Sequence, residues 1–195
     1  MRPRTFAPSR DGWPFSNGSL VGTPLRVGRV RVGRVIGGLC GGMCLAALRH
    51  WRDGDPLPTD PRAAQTEIAA AQLRSFDVPR SPGRYLRLQR PRATDARQQT
   101  TAPALAAVRA ELSAGEPVLL GLVCVLSRAP WAATEHHVVL AYDLIAEQDQ
   151  TQVRIYDPNY PARDDVTLQV SDDGARLTHS RGRRVYAMFP IEIRH

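Results

Sequence analysis

Gly37-Gly38-Leu39-Cys40-Gly41-Gly42-Met43-Cys44-Leu45-Ala46-Ala47-Leu48 is the stretch on which the fold turns. Two glycine pairs bracket a cysteine, and a helical pattern begins at that cysteine. Cys40, Cys44 and Leu48 recur at i, i+4 and i+8, with Met43, Ala47 and Trp51 beside them, so a buried helix is predicted over 40–51. Its first turn would carry a thiol where unpaired backbone N–H groups and the positive end of the helix dipole favour a thiolate. The thiolate is the nucleophile of cysteine chemistry. Cysteine is also an ordinary small core residue, so the rest of the chain has to decide between the two readings.

Composition narrows the choice. The 195 residues suit one domain, 1–195, with a sizeable core. Three cysteines, Cys40, Cys44 and Cys124, do not make a disulfide framework. The N-terminus has no signal-like apolar segment and no apolar run reaches membrane-spanning length, so a cytoplasmic protein without a membrane partner is expected. The net charge of +7 raises the question of nucleic acid. All 26 basic residues are arginine, however, and they are scattered among acidic ones, a compositional habit rather than a phosphate-binding patch. The one basic run, 26–35, separates its valines with Arg or Gly and reads as an edge strand with a charged outer face.

Outward from the cysteine, residues 1 to about 24 form an irregular arm that Phe6, Trp13 and Phe15 would dock on the body. Asp53-Gly54-Asp55-Pro56 closes the first helix, and a second follows from Pro61 to about Phe76, with Ile68, Gln72 and Leu73 on one face. Residues 77–100 are broken by prolines and dense in arginine, so they read as an irregular cover, with room for a short helix or strand, in which only Tyr85, Leu86 and Leu88 pack. A third helix is predicted from Thr101 to Gly115 with Pro103 in its first turn. Then the pattern changes to strands: 118–126, 137–144, 153–156, 166–170, 175–178 and 184–193. Helices first and strands afterwards predict an α+β fold, with N-terminal helices packed on a C-terminal antiparallel sheet.

The hairpin at 137–157 adds chemistry. Folded symmetrically about Glu147, it sets His137 opposite Asp157, Val139 opposite Ile155 and Ala141 opposite Val153. A carboxylate on one ring nitrogen fixes the tautomer and leaves the other nitrogen to take a proton from a thiol. A slip of one residue would present His136 instead. Cys44 and Cys124 read as packing residues, while His50, His179 and His195 have no evident partner. Cys40, Cys44, His136 and His137 do not have a familiar zinc spacing, so neither a metal nor another cofactor is expected.

Leu39-Cys40-Gly41, His136-His137-Val138-Val139 and Tyr156-Asp157-Pro158 stand in the order found in the papain-like cysteine peptidase superfamily, which the chain resembles, particularly its bacterial C39-like branch. The resemblance covers residues 37–48 and 135–161. It implies a papain-like fold with Cys40 as nucleophile, His137 as general base and acid, and Asp157 as the group that orients it. The His-x-Val-Val alignment alone would favour His136 as base. Those peptidases place a Gln about six residues before the cysteine to stabilise the oxyanion, and Arg34 occupies that position here. Arg34 or Asn17 is the candidate substitute, alongside the Cys40 N–H. The activity implied is thiol hydrolysis of a peptide or protein substrate through an acyl-enzyme. The alternatives are acyl transfer of the transglutaminase type on the same triad, or a papain-like binding module without catalysis.

Overall fold

Side-chain alternation explains how the C-terminal half folds. The computed structural model describes residues 5–20, 22, 24–27, 30–34, 38–75 and 80–193, with 24–27 and 30–34 described by their backbone alone. Six strands form one curled antiparallel sheet: β3 (Val118–Val123), β4 (His137–Ala146), β5 (Gln150–Tyr156), β6 (Thr167–Ser171), β7 (Leu177–His179) and β8 (Ala187–Pro190). Their order across the sheet is β7-β6-β5-β4-β3-β8. Earlier, β1 (Pro24–Val27) and β2 (Val30–Arg34) form a separate two-stranded sheet among the described residues. The arginine and valine run, read as one edge strand, thus falls in both strands and pairs with itself, Arg26 with Arg31 and Val27 with Val30.

The strands are apolar on both faces because both are covered. Leu119, Val123, Val138, Leu140, Tyr142, Tyr156, Ala187 and Phe189 pack with α2 (Cys40–Asp53), α3 (Pro61–Ser75) and the N-terminal arm, which carries the short helix α1 (Pro8–Asp11). Leu120, Leu122, Val139, Ala141, Val153, Ile155, Leu168 and Met188 pack with Leu105 and Val108 of α5 (Thr94–Ser113). The arm itself belongs to the core. Phe6 and Trp13 are fully buried, and the Trp13 indole N–H donates to the Met43 carbonyl at 3.1 Å.

Three expectations are corrected. Residues 80–88 form a helix, α4, and α5 begins at Thr94, so the covering segment is mostly helical. Pro103 therefore lies inside α5 rather than in its first turn. An interior proline loses a backbone bond and typically costs a helix about 3 kcal/mol. The extra turns are held by buried Arg97, whose guanidinium donates to the carbonyls of Leu88 and Arg90 at 3.1 and 2.9 Å and to Thr94 Oγ1 at 2.9 Å. Secondly, Leu73 and Leu86 point to solvent, on the outer faces of α3 and α4.

The third correction is the hairpin register. Leu140 pairs with Tyr156 and Ala141 with Ile155, two residues away from symmetry about Glu147. Toward the turn the pairing changes by one, to Asp143 with Arg154 and Leu144 with Val153, because Tyr142 is an extra residue in β4. That bulge decides which histidine matters. Carried straight through, the turn register would put His136 on the face of Asp157; with the bulge, His137 takes that face. Among the described residues no helix is long and apolar enough to cross a membrane.

Candidate active site

Cys40 opens α2, and the small residues around it let other backbone approach. A Cβ on Gly42 would collide with the Ile68 carbonyl of α3, and one on Gly38, at φ +93°, with the Asn17 amide. The orphan N–H groups of this helix start are taken up in turn. Leu39 N–H donates to Asn17 Oδ1 at 2.6 Å, and Gly42 N–H donates to Gln72 Oε1 at 2.7 Å. The backbone N–H groups of Gly41 and Val138 favour the thiolate form of Cys40. Among the described residues, none accepts from the N–H of Cys40 itself.

His137 begins β4 and Asp157 follows the end of β5, so both stand at the rim of the sheet where α2 begins. His137 Nε2 lies 2.7 Å from Asp157 Oδ1, with both side chains almost wholly buried. The nitrogen left for Cys40 is Nδ1. Burial alone would raise the thiol, but the His137 charge and hydrogen bond outweigh it and bring Cys40 below the usual cysteine range. Burial likewise pushes His137 down, yet the Cys40 thiolate and the Asp157 carboxylate carry it up to about 9. The Asp157 carboxyl, which burial would raise, is held well below the ordinary range by His137, His179 and the Asn159 N–H. Both shifts run in the direction that favours a thiolate beside an imidazolium.

His179, at the end of β7, donates from Nε2 to Asp157 Oδ2 at 3.1 Å. Sequence does not reveal this partner, because nothing in the spacing between 157 and 179 says that the curled sheet brings them together. Asn159, a turn residue by its sequence, also reaches the site. Its N–H donates to Asp157 Oδ1 at 2.8 Å, and its side-chain nitrogen lies 3.2 Å from His137 Nε2.

The other sequence candidates are placed as follows. His136 faces away: its Nδ1 accepts from the Cys124 N–H at 3.2 Å, and its Nε2 lies 2.9 Å from Gln89 Oε1. It stacks on Tyr85 at 4.6 Å, and burial lowers it to about 4, so it is a neutral structural ring. Asn17 reaches the site, but its amide oxygen holds Leu39 N–H and its nitrogen lies 3.5 Å from Asn159 Oδ1. The Arg34 side chain, Phe76 and His195 fall outside the described residues. Cys44, one turn below Cys40, donates to the Val138 carbonyl at 3.6 Å, and burial pushes its thiol well up. Cys124 lies just past β3, half-buried rather than inside the strand, with its thiol raised by burial to about 11. Cys40, Cys44, His136 and His137 do not converge on one point, and among the described residues no cluster of metal-ligating side chains is found. His50, also without an evident partner in sequence, lies 2.8 Å from Glu67 on α3.

The arrangement can activate a thiol, take a proton from it, and return that proton to a leaving group. Compared with known proteins, the chain matches no family model, no curated protein and no solved structure.

Proposed function

We propose that this chain is a papain-like thiol hydrolase that cleaves a peptide or amide bond through an acyl-enzyme on Cys40. The observation that carries the reading is the buried Asp157–His137–Cys40 chain at the start of α2, with the imidazole fixed at 2.7 Å by the carboxylate. A cysteine opening a helix, a histidine opening one strand and an aspartate closing the next also fit the resemblance of the three sequence motifs.

In this mechanism the Cys40 thiolate attacks the substrate carbonyl carbon, forming an S–C bond and moving the carbonyl electron pair onto oxygen. The Cys40 N–H, at the start of α2, stabilises that oxyanion. Collapse breaks the C–N bond, and the departing amine takes the proton from His137 Nδ1. Water then attacks the thioester, His137 accepts its proton, and the acid leaves as the thiolate is restored. Asp157 keeps the ring in one tautomer and remains ionised throughout.

Alkylation with iodoacetamide tests the reading. Cys40 should react on the order of tenfold or more faster than Cys44 and Cys124 at neutral pH, and His137→Ala should remove most of that advantage. Equal, slow labelling of all three thiols overturns it. With an amide substrate in hand, product partition that responds to an added amine assigns acyl transfer rather than hydrolysis.

A further inference from the structure

We propose that His179 is a positioning residue of this site, a neutral second histidine that clamps the far oxygen of Asp157 and thereby holds His137 in its working orientation and protonation state. The inference rests on the thiol-hydrolase reading and adds a fourth side chain to it. Its basis is the hydrogen-bond arrangement around one fully buried carboxylate.

Asp157 has two oxygens to satisfy, and both are buried. Oδ1 accepts from His137 Nε2 at 2.7 Å and from the Asn159 N–H at 2.8 Å. Oδ2 accepts from His179 Nε2 at 3.1 Å. The tautomer of His179 follows from its other nitrogen. The Arg181 backbone N–H donates to His179 Nδ1 at 3.1 Å, so Nδ1 is the acceptor and the proton sits on Nε2, aimed at Asp157. The ring is thus a neutral donor whose two hydrogen bonds are both used.

That matters because a carboxylate held on one oxygen alone can swing about its Cβ–Cγ bond. Gripped at both, Asp157 presents Oδ1 to His137 along a fixed direction. The remaining groups around the cluster do not do this. Cys40 and Cys44 lie on α2, Tyr85 on α4 and Tyr156 at the end of β5, and burial holds the Cys44 thiol and both these tyrosine hydroxyls uncharged at neutral pH. Tyr160 follows in the turn, its ring 6.1 Å from that of His179. Arg181 lies 6.0 Å over Tyr160 and pairs with Asp165 rather than Asp157.

Nitrogen-15 NMR of the histidine rings in the full chain tests the proposal, read with the Cys40 alkylation rate across pH. In the native protein at neutral pH, His179 should show its proton on Nε2 and none on Nδ1, and His137 an imidazolium titrating near 9. His179→Leu removes the donor and should lower the His137 midpoint by about one pH unit or more, with alkylation at pH 6 slowed several-fold. His179→Gln, whose amide nitrogen reaches the place of Nε2, should restore both. A merely structural His179 would alter stability and leave the His137 midpoint in place, which overturns the proposal. Should His179→Leu not fold, His179→Asn, too short to reach Asp157, takes its place against His179→Gln. A charged His179, or one protonated at Nδ1, in the native protein also overturns it. If His137→Ala fails to slow Cys40, the hydrolase reading itself falls; if it slows Cys40 while His179→Leu changes nothing, only the role of His179 falls.

Discussion

Asp157 is one residue with two separable effects, on chemistry and on stability. Its three donors leave no place for an amide NH2 group, so Asp157→Asn forces His137 or His179 into another tautomer. Hydrolysis should fall roughly 10²- to 10⁴-fold, the usual result of a misdirected imidazole. The second effect follows from linkage. A carboxyl held below its unfolded value, near 3.8, contributes stability that is complete above that value and is lost as pH falls toward the lower folded one. Melting temperature should therefore drop on acidification below about pH 4, and less steeply in Asp157→Asn than in the native chain. Thermal melts of both proteins from pH 2 to 7 check this, and parallel curves would refute it. At this scale sequence reading reaches Cys40, His137 and Asp157 because each stands in a recognisable local setting: a glycine-flanked helix start, a strand opening, a strand end. The roles of His179 and of Asn17 carry no such mark. They come from contacts across the curled sheet and from the arm, which have no spacing rule.

Among the elements, β4 and the α2–α3 pair are the ones whose detail positions the thiol. Symmetry about Glu147 misses the pairing near the site by an even number of residues, which preserves the face, while the Tyr142 bulge absorbs the odd shift near the turn. Bulges have no reliable sequence signature, so the register is not legible in the chain. The α4 and α5 starts are hidden for another reason: their prolines suggest loops, and the side chains they bury, Ser81, Arg97 and Thr101, are polar. Helix glycines make a matched test of packing. Gly83 is exposed in α4, with open space where a methyl would stand, so Gly83→Ala should gain about 0.5–1 kcal/mol from lower backbone freedom in the unfolded chain. Gly42→Ala has the same intrinsic gain, but its methyl meets the backbone of α3 at Ile68, and overpacking against backbone typically costs about 1–3 kcal/mol. Steric cost exceeds propensity, so the two substitutions should have opposite signs in urea denaturation.

Across the whole molecule, a sheet covered on both faces makes the α+β class plain from sequence: continuous apolar runs after Pro117 and amphipathic helices before it. The docking of the arm is also legible, because Phe6 and Trp13 are too apolar to stay in water; its completeness is not. Trp13 is fully buried, its indole N–H accepted by the Met43 carbonyl of α2 and its backbone N–H donating to the Tyr156 hydroxyl at 3.2 Å. Trp13→Ala should cost about 3–5 kcal/mol, measured by denaturation, and should slow Cys40 alkylation because the arm also carries Asn17 to Leu39.

Asn17, Cys40, His137, Asp157 and His179 meet at one rim of the sheet although they span most of the chain. Contacts so distant in sequence close late, since loop-closure entropy must be met before they form. A ribosome-bound fragment ending before residue 137 would contain Cys40 as an ordinary thiol without its base. Only when β4 and β5 close on α2 does Cys40 gain the His137 neighbour that lowers its thiol, so the labelling rate of Cys40 relative to Cys44 becomes a timer for that step of folding.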